Sequence, residues 1–430
     1  MLSTFCEKCL ALIRSPLLHQ SLVRSLPSID EAVLGSIKGS CMTIGPTHTY
    51  IQEGLEKGIP EQRLHGIVYE SLTRSNTSVP FVFSLNHICH ITGISYPYLR
   101  EVIRRNLTPY SFHKIPKRSG GHRFLTVPDV ELKLVQTWIN RDILASQAPH
   151  FRCYSYHSKS SIFNCAREHC LSKWLIKVDI ENFFDSISEV MVYKAFRKLG
   201  YKPLLAFELG RICTYQPTHL RAKNTLRWRN FNTNSSDYPY KRKGVSFFGR
   251  LPQGAPTSPM LSNLVFQDID EELHRYASEH GLVYTRYADD LTFSTGDKKF
   301  SRERALKVVN HVKKVLRSSN FSTNKSKLKI IPPGCRKVVL GLNIDGQKPL
   351  LSKGFKKRLE GHLRGIEKFG IPQHLEHKRF QTVFGMISHL NGLIGYAKQI
   401  DYEYGNRMEA RFSNILTQNG IVNESFQTSL

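Results

Sequence analysis

The spacing of apolar residues changes along this chain, and each change marks an element. SLNHICHITGISYPYLREVIRRN (84–106) carries apolar residues at helical spacing on both sides of Gly93, which predicts two short amphipathic helices. YSFHKIPKRSGGHRFLTVPD (110–129) alternates polar and apolar residues around a Ser-Gly-Gly turn, as a β-hairpin does. VELKLVQTWINRDILAS (130–146) returns to helical spacing. KWLIKVDIENFFDSIS (173–188) begins as a buried strand and continues as helix. GLVYTRYADDLTFST (281–295) reads as a second hairpin, with Ala288 to Asp290 near its turn. From Phe355 onward the chain is Lys-rich and helical in pattern, with a break near Pro372. Residues 1–80 show mixed helical patterning with Gly and Ser breaks and no evident chemistry. The stretch from about Arg221 to Gly249 is polar, basic and turn-rich, so an exposed loop is expected there, either solvated or contacting nucleic acid.

Charge narrows the class of partner. Lys plus Arg number 61 against 35 for Asp plus Glu, a net charge of +26. Such an excess predicts a polyanionic partner, and nucleic acid is the commonest one. A membrane surface would need an apolar span or a basic amphipathic anchor. No run of ~18 apolar residues occurs. The first residues lack the basic and apolar regions of a secretory signal, so a cytoplasmic protein without membrane partner is expected. A chain of 430 residues can form more than one structural unit. Its nine cysteines are irregularly spaced and do not suggest a disulfide framework. Cys6 and Cys9 make half a zinc site, and Cys89 lies between His87 and His90; reduced, partly buried residues are the expected state of both groups.

The carboxylates carry the chemistry. Nucleotidyl transfer by two metals needs carboxylates that bridge ions about 3.5–4 Å apart. Adjacent aspartates at a β-turn supply one part of such a cage, and an aspartate ending a neighbouring strand supplies the other. Tyr287-Ala288-Asp289-Asp290 and the Asp179 of VDIENFF provide both parts, each flanked by β-prone apolar residues. A lone Asp-Asp pair is more often a solvated turn, and Asp297 is read as a surface residue. Companions in a fixed order make the difference.

Those companions resemble a bacterial retron-type reverse transcriptase, from a retron or a related defence-associated system. The segments follow the family's order from about Ser84 onward: KIPKRSGGHRFLTVPD, the stretch Gln136 to Ile139, VDIENFFDSI, GRLPQGAPTSPMLSNL, YTRYADDLTFS, NKSKLKII, VVLGLNID and FGMISHLNGLIGYA. The resemblance implies an α+β right-hand polymerase fold: fingers, a palm of antiparallel sheet plus helices, and a helical thumb. It divides the chain into an N-terminal helical extension (1–80), fingers and palm (81–350) and thumb (351–430). The implied activity is RNA-directed DNA synthesis, adding deoxynucleotides to a primer. Asp179, Asp289 and Asp290 take the catalytic positions. With the Ile180 carbonyl they would hold two Mg2+ ions. Phe184, five residues after Asp179, matches the aromatic gate that excludes a ribose 2′-hydroxyl; a core aromatic is the alternative. Gln253 and Gly254 match the turn under the incoming nucleotide. Lys117 and Arg123 match finger residues that grip the triphosphate, a task for which Arg is suited. Lys114, Arg118, Asn324, Lys325 and Lys327 are expected near nucleic-acid phosphates. The partners implied are an RNA template, a DNA product, deoxynucleoside triphosphates, a cognate noncoding RNA and a defence effector protein.

Two subgroup signatures are altered. NAxxH appears as Cys165 to His169, with Cys in place of Asn, and VTG appears as Val339-Leu340-Gly341. These changes leave the aspartates intact and bear on the RNA partnership. A non-catalytic scaffold and a non-templated or protein-primed transferase are the rival readings; the intact aspartate set disfavours the first.

Overall fold

The structure, a computed structural model, describes residues 47–73, 80, 82–116, 122–216 and 248–421. Cys6, Cys9, Lys117, Arg118 and nearly all of the basic stretch 221–249 lie outside the described residues.

The chain enters through α1 (Thr47–Glu56) and α2 (Glu61–Thr73). The two helices expected around Gly93 are α3 (Leu85–Thr92) and α4 (Tyr96–Arg104). Ser84 and Ser95 cap them, each hydroxyl accepting a backbone N–H of the first turn. Gly93 ends α3 in the left-handed conformation, the usual helix stop. The first hairpin pairs β1 (Tyr110–Pro116) with β2 (His122–Pro128), Lys114 lying opposite Phe124. Asp129 then caps α5 (Val130–Trp138), which widens into a π-helical turn at Ile139–Leu144.

Next come α6 (Ile162–Arg167), β3 (Trp174–Asp179), the single turn α7 (Phe183–Ser186), α8 (Glu189–Lys198) and α9 (Pro203–Ile212). The long α10 (Ser258–Glu279) leads into the second hairpin, β4 (Val283–Tyr287) and β5 (Asp290–Thr295). After α11 (Arg302–Ser318), β6 (Lys329–Ile331) completes an antiparallel sheet of order β4-β5-β3-β6. All six β5 residues are buried, because β5 lies between two strands and beneath helices. The main core joins this sheet to α10 and α11 through residues such as Ile176, Phe293, Phe266 and Val312.

Three short strands, β7 (Val338–Val339), β8 (Leu342–Asn343) and β9 (Leu350–Leu351), form a separate small sheet. Its first turn is Leu340-Gly341, both at positive φ (48° and 86°). A two-residue hairpin of this hand needs that conformation, which glycine adopts freely and leucine does not. The altered VTG signature is therefore a tight turn whose Leu340 side chain is buried. The remaining helices are α12 (Lys353–Lys378), α13 (Val383–Ile400) and α14 (Tyr402–Gln418). α12 breaks at Gly370 (φ 75°), two residues before Pro372. Val339, Leu342 and Leu351 share one apolar cluster with Leu359, Leu390 and Phe412. The small sheet thus packs with the C-terminal helices.

One buried ion cluster ties the first helices to the segment Gly249–Gly254. Glu189 is fully buried; its carboxylate accepts from Arg105 Nη2 (2.8 Å), Arg211 Nε (2.9 Å) and the Gly249 N–H (2.8 Å). Burial alone would raise its pKa, but Arg105 and Arg211 outweigh that and hold the carboxyl below its ordinary value. Removing the anion leaves two buried guanidinium groups without it. Glu189→Ala should therefore cost about 3–5 kcal/mol in urea unfolding. A loss below about 1 kcal/mol would show that water or a rearrangement satisfies the arginines.

Candidate active site

Strand pairing brings the three aspartates together. Asp179, the last residue of β3, lies opposite Asp290, the first of β5. Asp289 precedes it in the β4–β5 turn, where Ala288 holds a left-handed φ of 56°. The Ile180 N–H donates to the Asp289 carbonyl (2.9 Å), and the Asp179 carbonyl accepts from the Asn324 N–H (2.8 Å). Among the described residues no backbone hydrogen bond takes the Ile180 carbonyl. Asp179 and Asp290 are buried and Asp289 is half-buried.

Three carboxylates this close disfavour one another's charge. Burial, then Asp179 and Asp290, push the Asp289 carboxyl up to about 7. Burial also raises Asp290, with Lys177 partly offsetting it. Two ammonium groups meet the cluster. Lys327 Nζ lies 2.7 Å from Asp179 Oδ2, and Lys177 Nζ lies 3.4 Å from Asp290 Oδ2. The second pair is an ion pair without a hydrogen bond, so Asp290 Oδ2 is buried and has no donor.

Among the described residues, no group of three or more His, Cys, Asp or Glu side chains stands ready-made for a metal ion, these aspartates included. The donor chemistry nevertheless fits a hard divalent cation, which prefers carboxylate and carbonyl oxygens. Asp290 Oδ2 has an ammonium at 3.4 Å but no hydrogen-bond donor in good geometry, and a cation would relieve the repulsion that raises Asp289. Asp179 Oδ2 would first have to leave Lys327.

Residues that the sequence reading passed over hold the turn. Arg286 is fully buried and makes a two-pronged pair with Asp270 (Nε–Oδ1 2.8 Å, Nη2–Oδ2 2.6 Å). Its Nη1 donates to the Ala288 carbonyl (3.2 Å) and to Asn263 Oδ1 (3.1 Å). The available signal was an arginine inside an otherwise β-prone run, which needs a buried acid. His169 of the altered NAxxH segment lies under the same hairpin. Its Nδ1 meets Ser294 Oγ and its Nε2 meets Thr285 Oγ1, both at 2.7 Å. Cys165 Sγ lies 3.4 Å from the same Thr285 hydroxyl. Both residues are buried, and His169 braces β4 against β5.

The other sequence-derived residues fall into two groups. Phe184 is half-buried, whereas Phe183 packs into the core against Phe266 and Phe321. Phe184, only partly buried, packs against the edge of the same core. The Gln253 carbonyl accepts from the Thr126 N–H of β2 (2.8 Å), joining this segment to the first hairpin. Gly254 has φ 131°, and a Cβ there would lie 3.1 Å from the Thr126 carbonyl oxygen. Arg123 is half-buried on β2, while Lys114 is exposed on β1. Asn324 caps the turn Lys325–Lys327, and Lys325 faces solvent. Lys327 was expected near nucleic-acid phosphates; the structure pairs its ammonium with Asp179. Cys89 is buried, and Asp297 is exposed as expected.

His169 gives the hairpin a pH dependence. Burial, with Arg152 and Lys177 adding to it, lowers its pKa to about 3. In the unfolded chain it takes a proton near pH 6.5, so acid favours unfolding between those values. Its contribution is complete above about pH 6.5 and falls by up to about 1.4 kcal/mol per pH unit below it. From pH 7 to 5, wild type should lose about 2 kcal/mol more than His169→Gln in urea unfolding. Equal losses would contradict the neutral, buried ring.

Comparisons with known proteins give the family. The family model described as "Reverse transcriptase (RNA-dependent DNA polymerase)" matches residues 115–344, just over half of the chain. The retron Ec86 reverse transcriptase of Escherichia coli is 29% identical over 336 residues, 77% of this chain and 93% of that protein. The retron Ec83 reverse transcriptase of Escherichia coli is 27% identical over 325 residues, 74% of this chain and 92% of that protein. Among solved structures, a foamy viral protease-reverse transcriptase in complex with double-stranded DNA aligns with a TM-score of 0.36 and 12% identity, covering 86% of this chain and 56% of that one. No helix among the described residues is long and apolar enough to cross a membrane. The chain belongs to the reverse transcriptase family, whose members are RNA-directed DNA polymerases that use divalent metal ions.

Proposed function

We propose that this chain is a retron-type polymerase that copies a cognate noncoding RNA, with Asp179, Asp289 and Asp290 as its catalytic carboxylates. The observation that carries the reading is the carboxylate cluster itself: Asp179 opposite Asp290, and Asp289 raised to about 7 by burial and its two neighbours. The Ile180 carbonyl completes the oxygen set. When bound, two Mg2+ ions would supply the Lewis acidity that activates a primer 3′-hydroxyl and steadies the leaving pyrophosphate.

The chain's own residues do the rest. Phe184 closes the space beside the sugar's 2′ carbon, so a ribose hydroxyl meets the ring. Gln253 and Gly254 lie under the base and sugar, and their bond to Thr126 keeps the first hairpin above them. Arg123 and Lys117 of that hairpin bind the triphosphate. Lys327 offsets the charge of Asp179 beside the chemistry. Lys114, Arg118, Asn324 and Lys325 lie along the phosphates of the primer and template. The chain divides into an N-terminal extension (1–80), fingers and palm (81–350) and thumb (351–430). A bacterial antiphage role with a separate effector protein, in the cytoplasm, is the setting that this reading favours.

Asp289→Asn keeps the size of the side chain and removes its charge. In primer extension on an RNA template it should lower the rate by at least about a thousandfold. Synthesis at the wild-type rate would overturn the assignment. Nucleic acid that copurifies with the protein should be a branched RNA–DNA product when sequenced. A linear product, or none, would remove the retron setting and leave the polymerase.

A further inference from the structure

β4 is the outer strand of the four-stranded sheet, and the segment Arg152–Tyr156 covers its free edge. The Arg286 N–H donates to the Arg152 carbonyl and the Tyr154 N–H donates to the Arg286 carbonyl, both at 2.9 Å. Ser155 Oγ then accepts from the Ala288 N–H (2.9 Å), inside the turn that carries Asp289. Asn263 Nδ2 donates to the Ser155 carbonyl (2.7 Å) and fixes the segment from below. The next residue, Tyr156, has φ 64°. A bulky side chain in the left-handed region is strained and persists only where its surroundings over-determine it. Here the chain turns away from β4, and the Tyr156 ring lies 6.3 Å from the Phe184 ring at 46°. Phe184 stands on a single helical turn and has Phe183 on its inner side, 5.6 Å away.

We propose that residues 152–156 are a strap that holds the catalytic turn and the Phe184 ring in one register, with Ser155 and Tyr156 as positioning residues. The inference rests on the reading of Phe184 as the sugar gate. Ser155 fixes the N–H of a strained alanine next to Asp289. Tyr156, bonded to it in sequence, limits how far the Phe184 ring can swing. Choice of sugar and placement of the aspartates are then set by adjacent residues of one strap. Without the Tyr156 ring, Phe184 gains room to rotate, and a ribose hydroxyl fits.

The test is the ratio of kcat/KM for a deoxynucleotide to that for the matching ribonucleotide, in primer extension by the full chain. Partial unfolding lowers both values equally and leaves the ratio unchanged, so the ratio separates positioning from a general loss of structure. Tyr156→Ala should lower it about tenfold, a change of ~1.4 kcal/mol in discrimination. Tyr156→Phe keeps the ring and should keep the ratio. Ser155→Ala should lower kcat for the deoxynucleotide with little change in KM. Phe184→Ala serves as the control for the gate and should lower the ratio at least as far as Tyr156→Ala. A lowered ratio in Phe184→Ala with an unchanged ratio in Tyr156→Ala would overturn the strap alone. An unchanged ratio in Phe184→Ala would overturn the gate reading, and the strap with it. If Tyr156→Ala does not fold, Tyr156→Asn suits the left-handed backbone, removes the ring and should lower the ratio in the same way.

Discussion

Repulsion among three carboxylates is the constraint around which this structure is arranged. Asp179, Asp289 and Asp290 come from two neighbouring strands and a turn, and nothing in their side chains favours that closeness. The backbone imposes it. β3 and β5 pair in register up to the Asp179–Asp290 position, and a one-residue slip of β5 would move Leu291 and Phe293 off the face they give to the main core. The energy that holds the charges together is therefore apolar burial and strand pairing some distance away. Lys177 and Lys327 offset part of the cost from the rim.

The support extends outward in layers. Arg286 and Asp270 form a buried pair that reaches the carbonyl of Ala288, while Ser155 takes its N–H. A left-handed alanine is costly, and contacts on both sides of it keep the turn in one shape. His169 braces the same hairpin from within by joining Thr285 to Ser294. Farther out, Glu189 and its two arginines hold Gly249, and the Gln253 carbonyl bonds to the first hairpin. The first hairpin is thus bonded to the segment that Glu189 anchors at Gly249.

Much of this was legible in the sequence, for physical reasons. Period-two and helical spacing located both hairpins and the helices around Gly93, because those elements bury one face. The aspartates were legible because their order and apolar flanks are unusual for solvated turns. The strap was not, since residues 152–156 add to a sheet edge by backbone bonds that leave little side-chain pattern. The partner of Arg286 is 16 residues away on a helix, and pairing of that kind follows only from the fold. Leu340 and Cys165 stood out as departures from a signature. Their surroundings, a tight left-handed turn and a contact with Thr285, required coordinates.

Isothermal titration calorimetry with Mn2+ tests most directly the claim that this cluster exists to hold cations. Wild type should show saturable binding that Asp289→Asn weakens strongly, because the variant removes both a ligand and the repulsion that a cation relieves. Equal binding by wild type and Asp289→Asn, with both proteins folded, would contradict the account.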